Sequence, residues 1–224
     1  MRSVRLNFSK SGRAIYISHL DVNRMMSRAV RRAKLPMWYT EGFNPHPYIS
    51  FALPLSLGQA SDCEYMDIRI NGDMTNDEVV SRLNNVLPDG IKILSAEAPF
   101  CDAKEIAGAM YFVKMIFETA DEAKAFCAKA DELLEKREII AEKRGKKGHR
   151  KVYKQVNLAD YIFDMKYSCT ENTVNIQCTL AAGNTDNLNP ALLAQTIEKN
   201  ADVKCQQIHI MRKKLLTASG ERFC

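Results

Sequence analysis

Several familiar signatures are missing from this sequence, and each absence narrows what the chain can be. There is no apolar run of 18 residues and no charged-then-apolar N-terminal leader, so we expect neither a membrane span nor a signal peptide. The seven cysteines are scattered and never form a C-x-x-C pair, which argues against a disulfide framework, a zinc ribbon or an iron–sulfur cluster. We therefore expect a cytoplasmic protein that holds no cofactor or metal of its own.

Sequence motifs of several common enzyme classes are absent as well. The chain has no P-loop, no G-x-G-x-x-G, no G-x-S-x-G and no H-E-x-x-H. What it does have is an ordinary globular composition, with 46% hydrophobic and 26% charged residues in a chain of 224, enough for one large domain or two small ones. Its net charge of +5 permits nucleic-acid binding without requiring it.

The periodicity of apolar residues predicts the order β-α-β-β-α-β twice. In the first half the predicted elements are a strand over 2–9, a helix from the Ser18 cap to about Lys34, strands at Met37–Tyr39 and Glu64–Ile70, a helix from Thr75 to about Leu87, and a strand at Ile91–Leu94. In the second half they are strands near 111–117, 138–141, 173–180 and 203–211, with helices at 120–136 and 190–200; a stretch at 161–167 either continues the strand that begins at 138–141 or follows it. We therefore predict an α+β fold of two tandem ferredoxin-like domains, at 1–98 and 109–218, each an antiparallel sheet with helices on one face. The stretch 99–108 is predicted as a joint and 142–160 as irregular.

The first predicted helix carries a row of arginines. Arg24, Arg28 and Arg31 follow one another about one helical turn apart, opposite the apolar stripe, and no acidic residue lies between Asp21 and Glu41. Arginine forks match phosphate oxygens, so the row is suited to an RNA backbone. The alternative is a solvated helix face, whose cations near the C-terminus also complement the helix dipole.

The second basic feature is the segment 143–154, KRGKKGHRKVYK, which contains no acid. Phosphate neutralisation beside an aromatic ring is typical of RNA-binding segments, whereas a basic loop without a ligand is the alternative. The candidate RNA-binding residues here are Lys143, Arg144, Lys146, Lys147, Arg150 and Lys151.

His19 stands at the start of the first predicted helix, where the helix dipole disfavours its charged form and lowers its pKa. A neutral imidazole near Lys10, Arg13 and Tyr16 could act as an acid or base in RNA cleavage, so His19 is the one candidate catalytic residue. It could equally contact a ligand or form only local hydrogen bonds. His19 and His46 lack the spacing of metal ligands, and we expect no metal site.

The loop that carries His46 is stiffened by Pro45 and Pro47. Preorganised loops present side chains well, although a stiff loop can also serve only as a connector. The candidate residues for contact with a ligand or a partner are Tyr39, Glu41, Phe43, Asn44 and His46.

Several motifs in the first 70 residues together resemble one known family. They are GRAIYISHLD at 12–21, RAVRRA at 28–33, LP at 35–36, EGFNPHP at 41–47, PLSLG at 54–58 and EYMD at 64–67. In combination they resemble the radical SAM-linked family of unknown function, whose members occur beside or fused to radical SAM proteins. The resemblance implies a radical SAM protein as partner, and it makes this chain the accessory half rather than the catalyst.

A more distant, architectural similarity is to the RAMP superfamily of CRISPR RNA endonucleases. A histidine near the position of His19 often acts in cleavage there, but the glycine-rich loop of those enzymes is absent after Ile210. Three hypotheses follow: an RNA-binding accessory protein for tRNA or rRNA modification, a metal-independent RNA endonuclease that uses His19, and a protein-docking module that binds no RNA. We expect the first, and expect the chain not to be an enzyme.

Overall fold

The described part of the chain has a mixed α+β architecture. A computed structural model describes residues 1–147, 150–183 and 185–223, and for 143–147 and 150–153 it covers the backbone only. The described strands are mostly antiparallel, and four α-helices accompany them. The chain divides into two compact units: Met1–Ala107 together with Met211–Cys224, and Gly108–Ile210.

The first unit is built on a sheet with two helices. Its elements are β1 (Arg2–Lys10), α1 (His19–Arg32), β2 (Ile49–Phe51), β3 (Gln59–Ile70), α2 (Asn76–Asn84), β4 (Ile91–Glu97) and the end of β10 (Gln207–Thr217). The strand order is β4-β1-β3, and both β2 and β10 pair with β3. A short 3-10 helix, Gly12–Tyr16, connects β1 to α1.

Alternation in the strands decides where the core of this unit lies. Val4, Leu6 and Phe8 of β1 are buried in the same cluster as Met26 and Val30 of α1. The inward residues of β3, β4 and α2 complete the cluster: Met66, Ile68, Ile70, Ile91, Ile93, Val79 and Leu83. The opposite parity of β1 places Arg5 and Asn7 on the other face of the sheet.

Side-chain caps begin the helices as the sequence predicts. The Ser18 hydroxyl accepts a hydrogen bond from the Asp21 amide at 3.2 Å, and Thr75 and Glu78 form a reciprocal capping box. α1 ends at Arg32, and Lys34 then adopts a left-handed conformation with a φ of 52°. These caps fix where α1 starts, and therefore where His19 lies.

The second unit follows a similar element order. It contains the greater part of β5 (Ile106–Ile116), α3 (Ala120–Lys136), β6 (Ile140–Lys147), β7 (Arg150–Asn157), β8 (Ile162–Thr170), β9 (Thr173–Ala181), α4 (Pro190–Ala201) and the start of β10. Its sheet runs β10-β5-β9-β8, and β6 pairs separately with β7. Phe117 and Phe126 pack in its core with ring centroids 5.5 Å apart.

Two stretches differ from the prediction. The backbone of 142–147 and 150–157 is not irregular, because it forms most of the antiparallel pair β6–β7; the charged residues concealed its alternating pattern. Met37–Tyr39 is not a strand: Met37 and Tyr39 each make one isolated bridge, to Ile70 and Pro47. Pro36 precedes this stretch, and Pro45 and Pro47 follow it. Because prolines lack an amide proton, they limit the ladder of backbone hydrogen bonds that the stretch can form. The second strand of this unit is instead Ile49–Phe51.

Candidate functional site

The arginine row lies where the sequence predicts it. Arg24, Arg28 and Arg31 are all exposed on α1. Arg24 is 3.6 Å from Asp21 across one helical turn, and both side chains are exposed. In the described part of the chain, Arg28 and Arg31 have no ion-pair partner. The row therefore presents positive charge to solvent with little internal compensation.

A charged cluster lies at the start of the same helix. It joins His19 to side chains from three strands of the first unit, Lys10 (β1), Glu64 (β3) and Arg212 (β10), through electrostatic interactions. The ring of Phe51 closes one side, with its centroid 4.9 Å from that of His19 and the rings nearly perpendicular. We call these five residues the His19 cluster.

A buried ion pair holds the cluster together. Arg212 and Glu64 are 2% and 4% exposed, and two guanidinium nitrogens donate to the carboxylate at 2.6–2.9 Å. The guanidinium also donates to the carbonyl oxygens of Leu53 and Pro54, at 3.3 and 3.4 Å. Because both charges are out of water, each depends on the other for compensation.

Lys10 is the second buried cation of the cluster. Its ammonium group donates to the carbonyl oxygens of Ile15 and Ile17, at 3.3 and 3.1 Å, which ties the 3-10 turn before α1 to β1. Burial lowers the pKa of Lys10, an effect that Glu64 opposes and Arg212 reinforces. Lys10 thus positions the turn that leads into His19.

His19 is half-buried and is favoured in its neutral form. Burial lowers its pKa; Glu64 acts in the opposite direction, and Lys10 and Arg212 lower it further. Within the described residues neither ring nitrogen has a hydrogen-bond partner. A neutral imidazole with one donor and one acceptor nitrogen can bind a hydroxyl or a phosphate oxygen of a ligand.

The loop that contains His46 is organised on its own. Its Nδ1 atom lies 3.1 Å from both the Thr40 hydroxyl and the Asn44 carbonyl oxygen, and the Thr40 amide donates to the His46 carbonyl oxygen. Tyr39, Glu41, Phe43, Asn44 and His46 are all exposed, and Phe43 is fully so at 105%. No hydrogen bond, ion pair or ring contact of the described residues joins this loop to His19. The two histidines therefore belong to separate features.

In the basic segment 143–154, the structure describes the side chain of residue 154 only. Its backbone forms parts of β6 and β7 in the second unit, whereas Gly148 and His149 fall outside the described residues. The predicted RNA contacts whose side chains are not described are Lys143, Arg144, Lys146, Lys147, Arg150 and Lys151. Their role stays a prediction.

Sequence reasoning missed three members of the His19 cluster: Phe51, Glu64 and Arg212. Glu64 carried a signal, because it precedes Met66, Ile68 and Ile70 in the inward-facing series of β3. A carboxylate at the end of an apolar series needs a buried partner. Nothing in the sequence identifies that partner, Arg212, which follows 148 residues later.

The described part of the chain has neither a metal-ligand cluster nor a membrane-spanning helix. Across residues 1–147, 150–183 and 185–223, no group of three or more His, Cys, Asp or Glu side chains is arranged to hold a metal ion. None of the helices in this described part is both long and apolar enough to cross a membrane.

Solved structures resemble the chain at low sequence identity. A chain from the "Crystal Structure of a Cbf5-Nop10-Gar1 Complex" matches with a TM-score of 0.52 and 10% identity, covering 95% of this chain and 48% of that one. This protein therefore spans about half the length of that chain, and the likeness concerns the fold. An unknown protein from Galdieria sulphuraria matches at a TM-score of 0.26 with 12% identity, over 94% of this chain and 98% of that chain.

No curated protein matches the chain. A family model does: the family described as "Uncharacterized protein conserved in bacteria (DUF2344)" matches residues 3–190. Because this match covers most of the sequence, the chain belongs to the conserved bacterial family DUF2344.

Proposed function

We propose that this chain is a non-catalytic accessory protein of a radical SAM enzyme. It binds an RNA, either tRNA or rRNA, and presents that RNA to the enzyme for modification. The observation that carries the proposal is the exposed row of Arg24, Arg28 and Arg31 on α1. An ordinary solvated helix face mixes charges of both signs, and this one offers only Asp21. An exposed ion pair such as Arg24–Asp21 contributes little, so that arginine can exchange its partner for a phosphate.

The spacing of the row suits a nucleic-acid backbone. Residues four and three apart lie on one face of a helix, so the three guanidinium groups follow a single line along α1. Each can bind a phosphate with two parallel hydrogen bonds. The basic segment 143–154 of the second unit supplies further positive charge in the same proposal.

RNA titrations at several salt concentrations test the proposal. Phosphate contacts release counterions, so affinity should fall steeply between about 50 and 200 mM salt. Charge reversal at Lys146, Lys147 and Arg150 should weaken binding to every RNA tested. Absence of binding at low salt, or affinity without salt dependence, contradicts the proposal.

The exposed loop supports the accessory part of the proposal. A fully exposed Phe43 at the tip of a proline-stiffened loop is a suitable anchor for a protein partner or an unpaired base. Co-purification with the radical SAM protein, with and without ribonuclease, distinguishes a protein partner from an unpaired base. If Phe43→Ser removes the complex and ribonuclease does not, the result favours a docking module that binds no RNA.

A second candidate function is RNA cleavage by His19. It is favoured by the neutral imidazole whose nitrogens lack partners within the described residues. The neighbouring cations speak against it, because Lys10 and Arg212 already donate to internal oxygens and are not directed at a leaving group. The test is cleavage of labelled RNA in EDTA. Cleavage by the wild type that disappears in His19→Ala, while RNA binding is retained, establishes the endonuclease. Absence of cleavage by the pure wild-type protein refutes this second candidate function.

We also propose that each unit is a ferredoxin-like domain. The support is topological: β4-β1-β3-β2 in the first unit and β10-β5-β9-β8 in the second both place the fourth strand beside the first and the third beside the second. On this interpretation the pair β6–β7 is an insertion before the second strand of its domain. A crystal structure of the protein tests it directly.

A further inference from the structure

The sheet of the second unit has one face against its helices and one face toward solvent. β5 and β9 pair in a continuous antiparallel register from Gly108 to Ile116. Alternate residues are buried: Val113 and Ile176 line one small cavity with Leu193 of α4. The residues of β5, β8 and β9 that stand exposed on the opposite side, which we call the open face, are Phe112, Lys114, Lys166, Asn175 and Gln177.

The pairing of the strands sets the arrangement of these side chains. Phe112 lies opposite Gln177, which lies opposite Lys166, so the three form one row across three strands. Neighbouring strands are about 4.8 Å apart, so the lysine stands about 10 Å from the phenylalanine along that row. Lys114 is two residues, about 7 Å, further along β5. An exposed aromatic ring therefore has a cation on its own strand and a second cation two strands away.

Phe163 adds a second ring to the open face. It is the extra residue of a bulge between Ile162 and Asp164 in β8. Its Cε2 atom lies 3.2 Å from the position that a Cβ atom on Gly108 would occupy, so the ring lies over β5 where that strand has no side chain. The ring is still 59% exposed, and Phe112, four residues or about 14 Å along β5, is 43% exposed. Two large exposed rings on one face mark an interaction surface.

The charges of the open face indicate which kind of ligand it fits. Its charged residues on β5, β8 and β9 are Lys114, Lys166 and Asp164, so its net charge is positive. Within the described residues neither lysine has an ion pair or a hydrogen bond. Lysine is depleted at the centre of protein–protein interfaces, whereas aromatic rings beside cations are typical of surfaces that bind single-stranded nucleic acid. Four-stranded sheets bind unpaired RNA bases in this way.

We propose that the open face binds a single-stranded segment of RNA. One base stacks on Phe112 and another on Phe163. Lys114 and Lys166 bind the neighbouring phosphates. The Gln177 amide, which carries both donors and an acceptor, hydrogen-bonds to the edge of the base on Phe112. Every base has a π-face, so this site is tolerant of sequence. It rests on the RNA-binding function proposed above and specifies its substrate as an unpaired strand.

Fluorescence anisotropy with a labelled single-stranded RNA of about ten nucleotides tests the stacking. Phe112→Leu keeps an apolar side chain without the ring and should weaken binding about tenfold or more, whereas Phe112→Trp keeps a ring and should preserve binding. The matched control Phe100→Leu, at an exposed phenylalanine of the first unit, should leave affinity unchanged. Affinity for a duplex of the same sequence should not respond to Phe112→Leu. Circular dichroism melting curves show whether each variant is folded.

Salt dependence tests the two lysines. Replacing Lys114 and Lys166 with glutamine should make the slope of log affinity against log salt shallower by about 1.4, since each phosphate contact contributes about 0.7 for a single strand. The matched control, Lys92 and Lys104 replaced with glutamine, should keep the wild-type slope. An RNA that carries one 5-iodouracil should cross-link on irradiation to one of the two phenylalanines of the open face, which mass spectrometry localises. If Phe112→Leu does not fold, the lysine variant and the cross-link decide the outcome.

The outcomes separate this site from the RNA-binding function. Binding that is lost in Phe112→Leu but survives replacement of the three α1 arginines supports the open face and refutes the role of α1. Salt-dependent RNA binding that responds neither to the phenylalanine nor to the lysine variants overturns the open face and leaves RNA binding intact. A ribonuclease-resistant complex with the radical SAM protein that Phe112→Leu removes, with RNA binding unchanged, identifies a protein-docking surface and also overturns it. Absence of RNA binding at low salt refutes both proposals.

Discussion

Replacing Arg212 by alanine should be among the most damaging single substitutions in the first unit. The change removes the guanidinium that donates to Glu64 at 2.6, 2.7 and 2.9 Å and leaves a carboxylate that is only 4% exposed. The carbonyl oxygens of Leu53 and Pro54 lose a donor at the same time. The cost is therefore chiefly that of an uncompensated buried charge.

The expected size of the effect follows from comparable pairs. Breaking a buried ion pair by removing one partner costs about 3–5 kcal/mol in the free energy of unfolding. That is a large fraction of the roughly 5–15 kcal/mol typical of a native protein. Replacing both partners with apolar residues, as in Arg212→Met with Glu64→Leu, removes both charges together and should recover most of the loss.

The single tryptophan makes the assay specific to this unit. Trp38 lies in the first unit, where the Arg69 guanidinium is 5.3 Å from its ring centroid. Its fluorescence during urea denaturation therefore reports on the unit that contains Arg212. At a slope of about 2 kcal/mol per molar urea, Arg212→Ala should lower the midpoint by about 1.5–2.5 M.

Two outcomes would refute this reasoning. The first is a loss of under about 1 kcal/mol for Arg212→Ala, the size expected of an exposed pair. The second is a double variant at least as unstable as the sum of the two single variants, since a real pair must show a coupling energy between its partners.

Three further predictions concern stability and reactivity. Burial lowers the pKa of His19, so the unfolded chain binds the proton more tightly; below about pH 6.5 the wild type should lose stability relative to His19→Gln, as urea denaturation at pH 7.5 and 5.5 measures. Asn84→Ala should cost about 1–3 kcal/mol, because that side chain bonds both an amide and a carbonyl of β4 at 2.9 and 3.0 Å. Burial raises the thiol pKa values of Cys63 and Cys178 to about 11 and about 12, so iodoacetamide should modify exposed Cys169 before either of them, which mass spectrometry of the native protein would measure.

The contradicting results are equally specific. Parallel pH profiles for wild type and His19→Gln would show that His19 is not desolvated as described. An unchanged urea midpoint in Asn84→Ala would mean that its two hydrogen bonds are replaced by water without loss. Modification of Cys63 or Cys178 ahead of Cys169 in the folded protein would contradict their burial.

Local chemistry explains why the helices were predictable from the sequence. Ser18, Thr75 and Thr119 are short polar residues three positions before a carboxylate, and each caps the helix that follows. The strand pair β6–β7 was not predictable, because lysines and arginines occupy positions where alternation is normally visible. Met37–Tyr39 was predicted as a strand from its residue types, although the prolines on either side limit its pairing.

The candidate site likewise contains a part that could be predicted from the sequence and a part that could not. The arginine row on α1 depends only on helical spacing, which is a local property, so it could be placed from the sequence. The His19 cluster depends on contacts between residues far apart in the chain, such as Glu64 with Arg212. The burial of the Asn7 carbonyl oxygen, which has no hydrogen-bond partner within the described residues, was invisible for the same reason, since an alternating strand does not reveal which of its polar side chains lacks a partner.

Salt-dependent RNA binding by an α1 variant tests the central claim most directly. The variant replaces Arg24, Arg28 and Arg31 with glutamine. The matched control removes the same amount of charge from exposed lysines elsewhere: Lys92, Lys104 and Lys124. Fluorescence anisotropy with a labelled single-stranded RNA, at salt concentrations from 50 to 200 mM, gives the slope of log affinity against log salt for each protein.

The account predicts that the arginine variant loses affinity and that its slope becomes shallower by about 2, since each phosphate contact contributes about 0.7 for a single strand. The lysine control should keep both the affinity and the slope of the wild type. An arginine variant that binds RNA with the affinity and slope of the wild type would contradict the account.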